Sequence, residues 1–319
     1  MVYEQFLHAV RDSLETRLGD DYLVTLRQIP KNNGVVLDGV CIRRGAELAA
    51  PTIYLNPYYE EYEGGMAFDD IIEEIEKLYH DNEGLAAEKF RSFSHFHLAK
   101  DRIAYKLVNA DKNRKLLEHV PHIPFCDLAL VFYLFLDSDD TGQMTALIFK
   151  GHQKLWKVDT KELYDLARAN TSRLFPAVLK NIEEVLREIA AASLGDQYEE
   201  DYIDMSDDGT EPAVPLYILT NHAGLNGACS ILYDGVLKNF ADQLEKDLYI
   251  LPSSVHEVIL VPVGETLSPA ELHLMVSSIN QSEVPVEDRL SDQIYLYTRS
   301  DNQIIPVSTF SESDEISNP

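Results

Sequence analysis

Cysteine is nearly absent from this chain. Cys41, Cys126 and Cys229 are the three in 319 residues, too far apart and odd in number for a disulfide framework or a metal knuckle. Bases are scarce too: 27 Lys and Arg face 54 Asp and Glu, for a formal net charge of −27. Phosphate backbones and anionic lipid are repelled by such a chain, so neither direct nucleic-acid binding nor membrane binding is expected. Long apolar runs are missing as well. The longest, residues 128–136, falls far short of the roughly 20 residues a membrane span needs. The opening stretch MVYEQFLHAVRDSLETRL has neither the basic leader nor the apolar core of a signal peptide, and the expected location is the cytoplasm.

Short catalytic motifs are also lacking. No phosphate-binding loop, dinucleotide fingerprint, nucleophile elbow or Ser-x-x-Lys pair occurs, which moves kinases, P-loop NTPases, Rossmann dehydrogenases and α/β-hydrolases out of the front rank. Two segments begin like calcium loops, at Asp137 and at Asp204. Their twelfth positions are Ile148 and Pro215 instead of a bidentate Glu, so a hairpin turn and an acidic linker are expected there. His95 with His97, and His119 with His122 and Cys126, bring no carboxylate at a zinc-binding interval. Ser253, Ser254, His256 and Glu257 set hydroxyl, imidazole and carboxylate side by side, but neighbours in a hairpin point to opposite faces and rarely assemble a triad. A turn between two strands is expected instead. No catalytic, cofactor-binding or metal-ligating residue is assigned, and no cofactor is expected.

What is present suits an ordinary globular protein, with 45% hydrophobic and 25% charged residues and length for about two domains. Phe6, Leu7, Val10, Leu14 and Leu18 keep helical spacing, as do Ile71, Ile72, Ile75, Leu78 and Tyr79. Extended segments are expected at 22–29, 35–42 and 52–55, with turn formers Asn32-Asn33-Gly34 between the first two. Residues 128–136 show no alternation and read as a strand buried on both faces, with a partner at 144–149. Val178, Leu179, Ile182, Val185, Leu186 and Ile189 form a stripe that predicts a helix. Beyond residue 215, strands are expected at 216–219, 228–232, 248–251, 255–261 and 293–297, and helices at 236–244 and 269–279.

The charge divides the chain. Residues 1–195 carry a net −8, whereas residues 196–319 hold 23 acids and four bases, a net −19. Between them, residues 196–215 are rich in acids and poor in core formers, which predicts a linker or flexible loop. The expected architecture is therefore α+β in two units. Residues 1–195 form an N-terminal unit, a central sheet with flanking helices. Residues 216–300 form a smaller ββα/ββαβ-like unit, and 301–319 a disordered tail. Two surfaces stand out as candidates. Asn56, Tyr58, Tyr59 and Tyr62 lie in a stretch expected to be a loop, and tyrosine brings large contact area with few rotors; these side chains either bind a partner or lid the core. Lys100, Arg102, Lys106, Lys112, Arg114 and Lys115 form a basic run suited to docking an acidic unit or an anionic partner.

The stretches KNNGVVLDG, PTIYLNPYYEEY, HIPFCDLALVFYLFL and LPSSVHEVILVP together resemble an uncharacterised bacterial family, domain of unknown function 5688, over nearly the whole chain. That resemblance implies no activity and no site residues. The expected function is that of a non-enzymatic interaction or regulatory protein of a bacterial cytosol, of a kind a mobile element could carry, with a protein as its partner. Two alternatives stay open: an acidic decoy that imitates nucleic acid, and a hydrolase whose residues are distant in sequence.

Overall fold

A computed structural model describes residues 1–45, 52–81, 95–139, 142–194, 215–264 and 267–307. They divide into two compact units, residues 1–101 with 154–157, and residues 102–153 with 158–319. Both mix helices with antiparallel sheets, so the protein is α+β.

Unit 1 opens with α1 (Tyr3–Leu18), whose Phe6, Val10 and Leu14 recur every four residues and are all buried. They pack with a three-stranded sheet ordered β1 (Tyr22–Pro30), β2 (Val36–Arg44) and β3 (Thr52–Tyr54). The β1–β2 turn puts Asn33 and Gly34 at φ 56° and 75°, the left-handed region that these two residue types tolerate best. Helices α2 (Asn56–Glu63) and α3 (Phe68–Asp81) follow, then the single turn α4 (Phe96–Ala99). Ile71, Ile72, Ile75 and Tyr79 of α3 join Val24, Val40, Ile42, Ile53 and Leu55 in one core cluster.

Unit 2 holds two sheets. In the first, β6 (Leu128–Asp139) is central, with β4 (Ile103–Asn109) along one edge and both β5 (His122–Phe125) and β7 (Gly142–Leu147) on the other. Residues 128–134 of β6 are all buried, as a strand without alternation requires. The short α5 (Arg114–Leu117) lies between β4 and β5 in sequence, and α6 (Lys150–Trp156) and α7 (Thr160–Leu174) follow β7. Helix α7 covers the open edge of β4: Asn170 Nδ2 donates to the Ile103 carbonyl at 3.0 Å, and Tyr105 N donates to Thr171 Oγ1 at 3.1 Å. A strand edge satisfied by side chains cannot recruit another strand there.

The second sheet has six strands, ordered β13-β12-β10-β11-β9-β8: β8 (Ala177–Asn181), β9 (Tyr217–Asn221), β10 (Leu248–Leu251), β11 (Val258–Pro262), β12 (Tyr295–Thr298) and β13 (Gln303–Pro306). Its helices are α8 (Ile182–Leu194), α9 (Val236–Leu244) and α10 (Pro269–Ser282). Helix α10 begins with a Ser268–Glu271 capping box that satisfies two end donors reciprocally.

Several expectations are corrected. Val178 and Leu179 belong to strand β8, and the helix begins only at Ile182, where Asn181 Oδ1 accepts from Glu183 N at 2.8 Å. Residues 228–232 are not a strand but part of a 3-10 helix, Gly227–Leu232. The tail expected from residue 301 onward starts with β13, which pairs with β12. Strands β8 and β9 pair through five residues, joining the chain on both sides of 196–215 into one sheet, and the compact units divide between Asp101 and Arg102 instead of near residue 200. Residues 196–214 themselves, like 308–319, lie outside the described residues.

Candidate functional site

The stretch expected to be a tyrosine-bearing loop is helix α2. Pro57 sits in its first turn, where its missing N–H costs nothing and its φ already suits a helix. Asn56 serves the fold, since its Oδ1 accepts from Asp38 N at 2.9 Å. The three tyrosines fall at i, i+1 and i+4 and turn toward unit 1's core, where Tyr58, Tyr59 and Tyr62 all pack on the buried cluster. Tyr59 meets Tyr3 and Phe6 edge-on at 4.9 and 5.3 Å, and Tyr62 tilts over Phe6 at 5.6 Å. Their hydroxyls hold the first residue: Tyr59 donates to the Met1 carbonyl at 3.2 Å, and the Met1 amine donates to Tyr62 at 3.0 Å. Burial first, then Glu74 and Glu61, raise the Tyr58 phenol above its ordinary pKa.

With the rings turned inward, the outer side of α2 and α3 is carboxylate. Residues 56–81 carry nine acids and one lysine. Glu60, Glu61, Glu63, Asp70, Glu73 and Glu74 are all exposed. Arg17 of α1 reaches Asp69 at 3.7 Å and Glu76 at 3.5 Å.

The basic run is dispersed over several elements. Lys100 belongs to unit 1, Arg102 donates to the Leu136 carbonyl at 3.1 Å, and Lys106 lies mid-strand in β4. Lys112 lies in the exposed turn before α5, and Arg114 and Lys115 are the exposed first two residues of that helix, with Arg114 paired to Asp111.

The groups that might have made a catalytic centre are engaged elsewhere. Residues 252–257 connect the paired strands β10 and β11. His256 Nδ1 accepts from the Asn226 backbone N–H at 3.3 Å, which can only donate, so the ring proton sits on Nε2. That nitrogen donates to Asp288 Oδ1 at 3.1 Å. Ser254 Oγ accepts from the His256 backbone at 2.9 Å, so no hydroxyl–imidazole pair forms. Asp127, which ends the two-residue β5–β6 turn, accepts from Ser291 Oγ and Tyr295 Oη, each at 2.6 Å. Asn109 Nδ2 adds a bond to the Leu290 carbonyl at 2.9 Å. These side chains clasp the two sheets of unit 2. Sequence reasoning missed Asp127 and Ser291 because 164 residues separate them and neither lies in a motif.

His122 opens strand β5 and Cys126 follows its other end, in the β5–β6 turn at φ 52°. Among the described residues no group of three His, Cys, Asp or Glu gathers to hold a metal ion. The first calcium-like segment is the β6–β7 hairpin, and the second lies outside the described residues. No helix among the described residues is long and apolar enough to cross a membrane.

No curated protein and no solved structure matches the chain. Residues 3–299 match a family of unknown function, DUF5688, and over that span the chain belongs to this family.

Proposed function

We propose that this is a non-enzymatic interaction protein of the bacterial cytoplasm, which engages a basic protein partner through the outer face of α2 and α3. The observation that carries this reading is the concentration of nine carboxylates against one lysine in residues 56–81, on a helix pair anchored from beneath by its own tyrosines. Such a face repels phosphate and anionic lipid and steers a cationic surface toward itself. Engagement of His256, Asp127 and Ser254 in internal bonds also favours binding over catalysis.

The test is affinity purification from the native host with mass spectrometry, comparing wild type with a variant carrying Gln at Glu60, Glu61, Glu63 and Glu74. A basic protein retained by wild type, lost with the variant and released as salt rises would support the reading. Identical proteins on both baits would sink it. The net −19 of residues 196–319 favours one other reading, an acidic decoy. Capture of a DNA-binding protein that duplex DNA displaces, unaffected by the four substitutions, would select that account.

A further inference from the structure

Tyr105 of β4 is fully buried, and its hydroxyl has no hydrogen-bond partner among the described residues. Leaving such a group unpaired is costly, so its retention calls for an explanation. The Tyr105 ring lies edge-on to Tyr233, with centroids 6.3 Å apart, and tilted to Tyr164 at 6.4 Å. Tyr233 Oη donates to the Phe175 carbonyl at 3.1 Å and touches Cys229 Sγ at 3.8 Å, and it makes no bond to the Tyr105 hydroxyl.

The helix packed on β4 beside Tyr105 also carries charge. Tyr164, Arg168 and Thr171 fall at i, i+4 and i+7 of α7 and so share one face. Thr171 fixes that face on β4, because its Oγ1 accepts from the Tyr105 amide. Arg168 is half-exposed and pairs with Asp234, the residue after Tyr233. Both its Nε and its Nη2 donate to Asp234 Oδ1, so the two-oxygen, fork-to-fork geometry that makes guanidinium–carboxylate pairs strong is not used. Burial above all, then Cys229, Tyr164 and Asp234, raise the Tyr105 phenol, while Arg168 lowers it; the hydroxyl stays protonated, as a donor.

We propose that Tyr105, Tyr164 and Arg168 form a binding site for a small aromatic carboxylate. The ligand's carboxylate replaces Asp234 at Arg168 and accepts from the Tyr105 hydroxyl, while its ring lies against Tyr164 and Tyr233. A monoanion fits better than phosphate, because Arg168 supplies one positive charge in a protein of net charge −27. This site is independent of the α2–α3 face.

The full chain is titrated with sodium benzoate at constant ionic strength by calorimetry, with phosphate as the comparison anion. Saturable benzoate binding is expected, tighter in Asp234→Asn because the competing carboxylate is gone, and abolished in Arg168→Gln. Tyr105→Phe should weaken it about tenfold, the loss of one charge-assisted hydrogen bond. The same substitution should raise the melting temperature of the ligand-free protein, since an unpaired buried hydroxyl disappears. Absence of saturable binding to Asp234→Asn, whose exposed substitution leaves the core intact, would overturn the proposal. So would unchanged affinity in Tyr105→Phe, or phosphate binding in place of benzoate.

Discussion

A Cβ added at Gly227 would lie 2.3 Å from Thr220 Oγ1, 2.5 Å from the His256 carbonyl oxygen and 2.7 Å from the Asn221 amide nitrogen. Two of these three neighbours are backbone, and Thr220 Oγ1 is held by its own bond to the His256 carbonyl at 2.8 Å. None can move aside without moving a strand. Gly227→Ala should therefore cost about 1–3 kcal/mol by overpacking, seen as a lower urea midpoint with an unchanged slope. A midpoint equal to wild type would show that β9 and the 252–257 turn yield more easily than their contacts suggest. Asn226-Gly227 reads in the sequence as a backbone device, and Asn226 does take the left-handed conformation at φ 53°. What contacts Gly227 was not legible, because His256 lies 29 residues further along.

At the scale of the element, legibility follows whether local pattern or distant pairing decides. Helices α1, α3, α9 and α10 were readable because their apolar spacing agrees with which of their residues are buried. Strand β8 was not, since Val178 and Leu179 keep helical spacing with Ile182, and only pairing with β9 makes them strand. Helix α2 hid behind Asn56-Pro57, a pair that opens helices and turns alike. The capped edge of β4 was equally hidden, because Asn170 and Thr171 look like ordinary helix residues until β4 is placed beside them. That cap gives a sharp expectation. Thr171→Val keeps shape but removes the acceptor for the Tyr105 amide, leaving a buried N–H unpaired at a cost of about 1–3 kcal/mol. Hydrogen exchange at the Tyr105 amide should quicken by more than tenfold, while amides in unit 1 stay as slow as before. Equal slowing or quickening across both units would mean that the hydroxyl does not act locally.

At the scale of the whole molecule, two features of the sheets and the charge lead to measurable behaviour. Because β8 and β9 pair in register from Ala177↔Asn221 to Asn181↔Tyr217, a chain opened by a specific protease site inserted within 196–214 should elute from a sizing column as one particle. Separate elution of the two fragments under native conditions would favour the division near residue 200. The second behaviour is alkaline lability. Burial pushes the Cys229 thiol up to about 12 from an ordinary 9.0, and burial likewise raises the phenols of Tyr105, Tyr133, Tyr233 and Tyr295. In the unfolded chain the thiol gives up its proton near 9, while in the fold it keeps it. The folded state therefore holds more protons above that pH, and stability, intact below 9, declines as pH rises toward 12. The slope is about 1.4 kcal/mol per pH unit for each such group. The phenols join from their ordinary 10.0 upward, which steepens the fall. Urea midpoints should hold level between pH 8 and 9 and then drop. Burial and then Asp127 also raise the Cys126 thiol, so in a variant carrying both Cys126→Ser and Cys229→Ala the absolute stability is lower from the lost packing, but the onset of the drop should move up toward pH 10. An onset unmoved by those two substitutions would assign the first part of the decline to some other group than these two thiols.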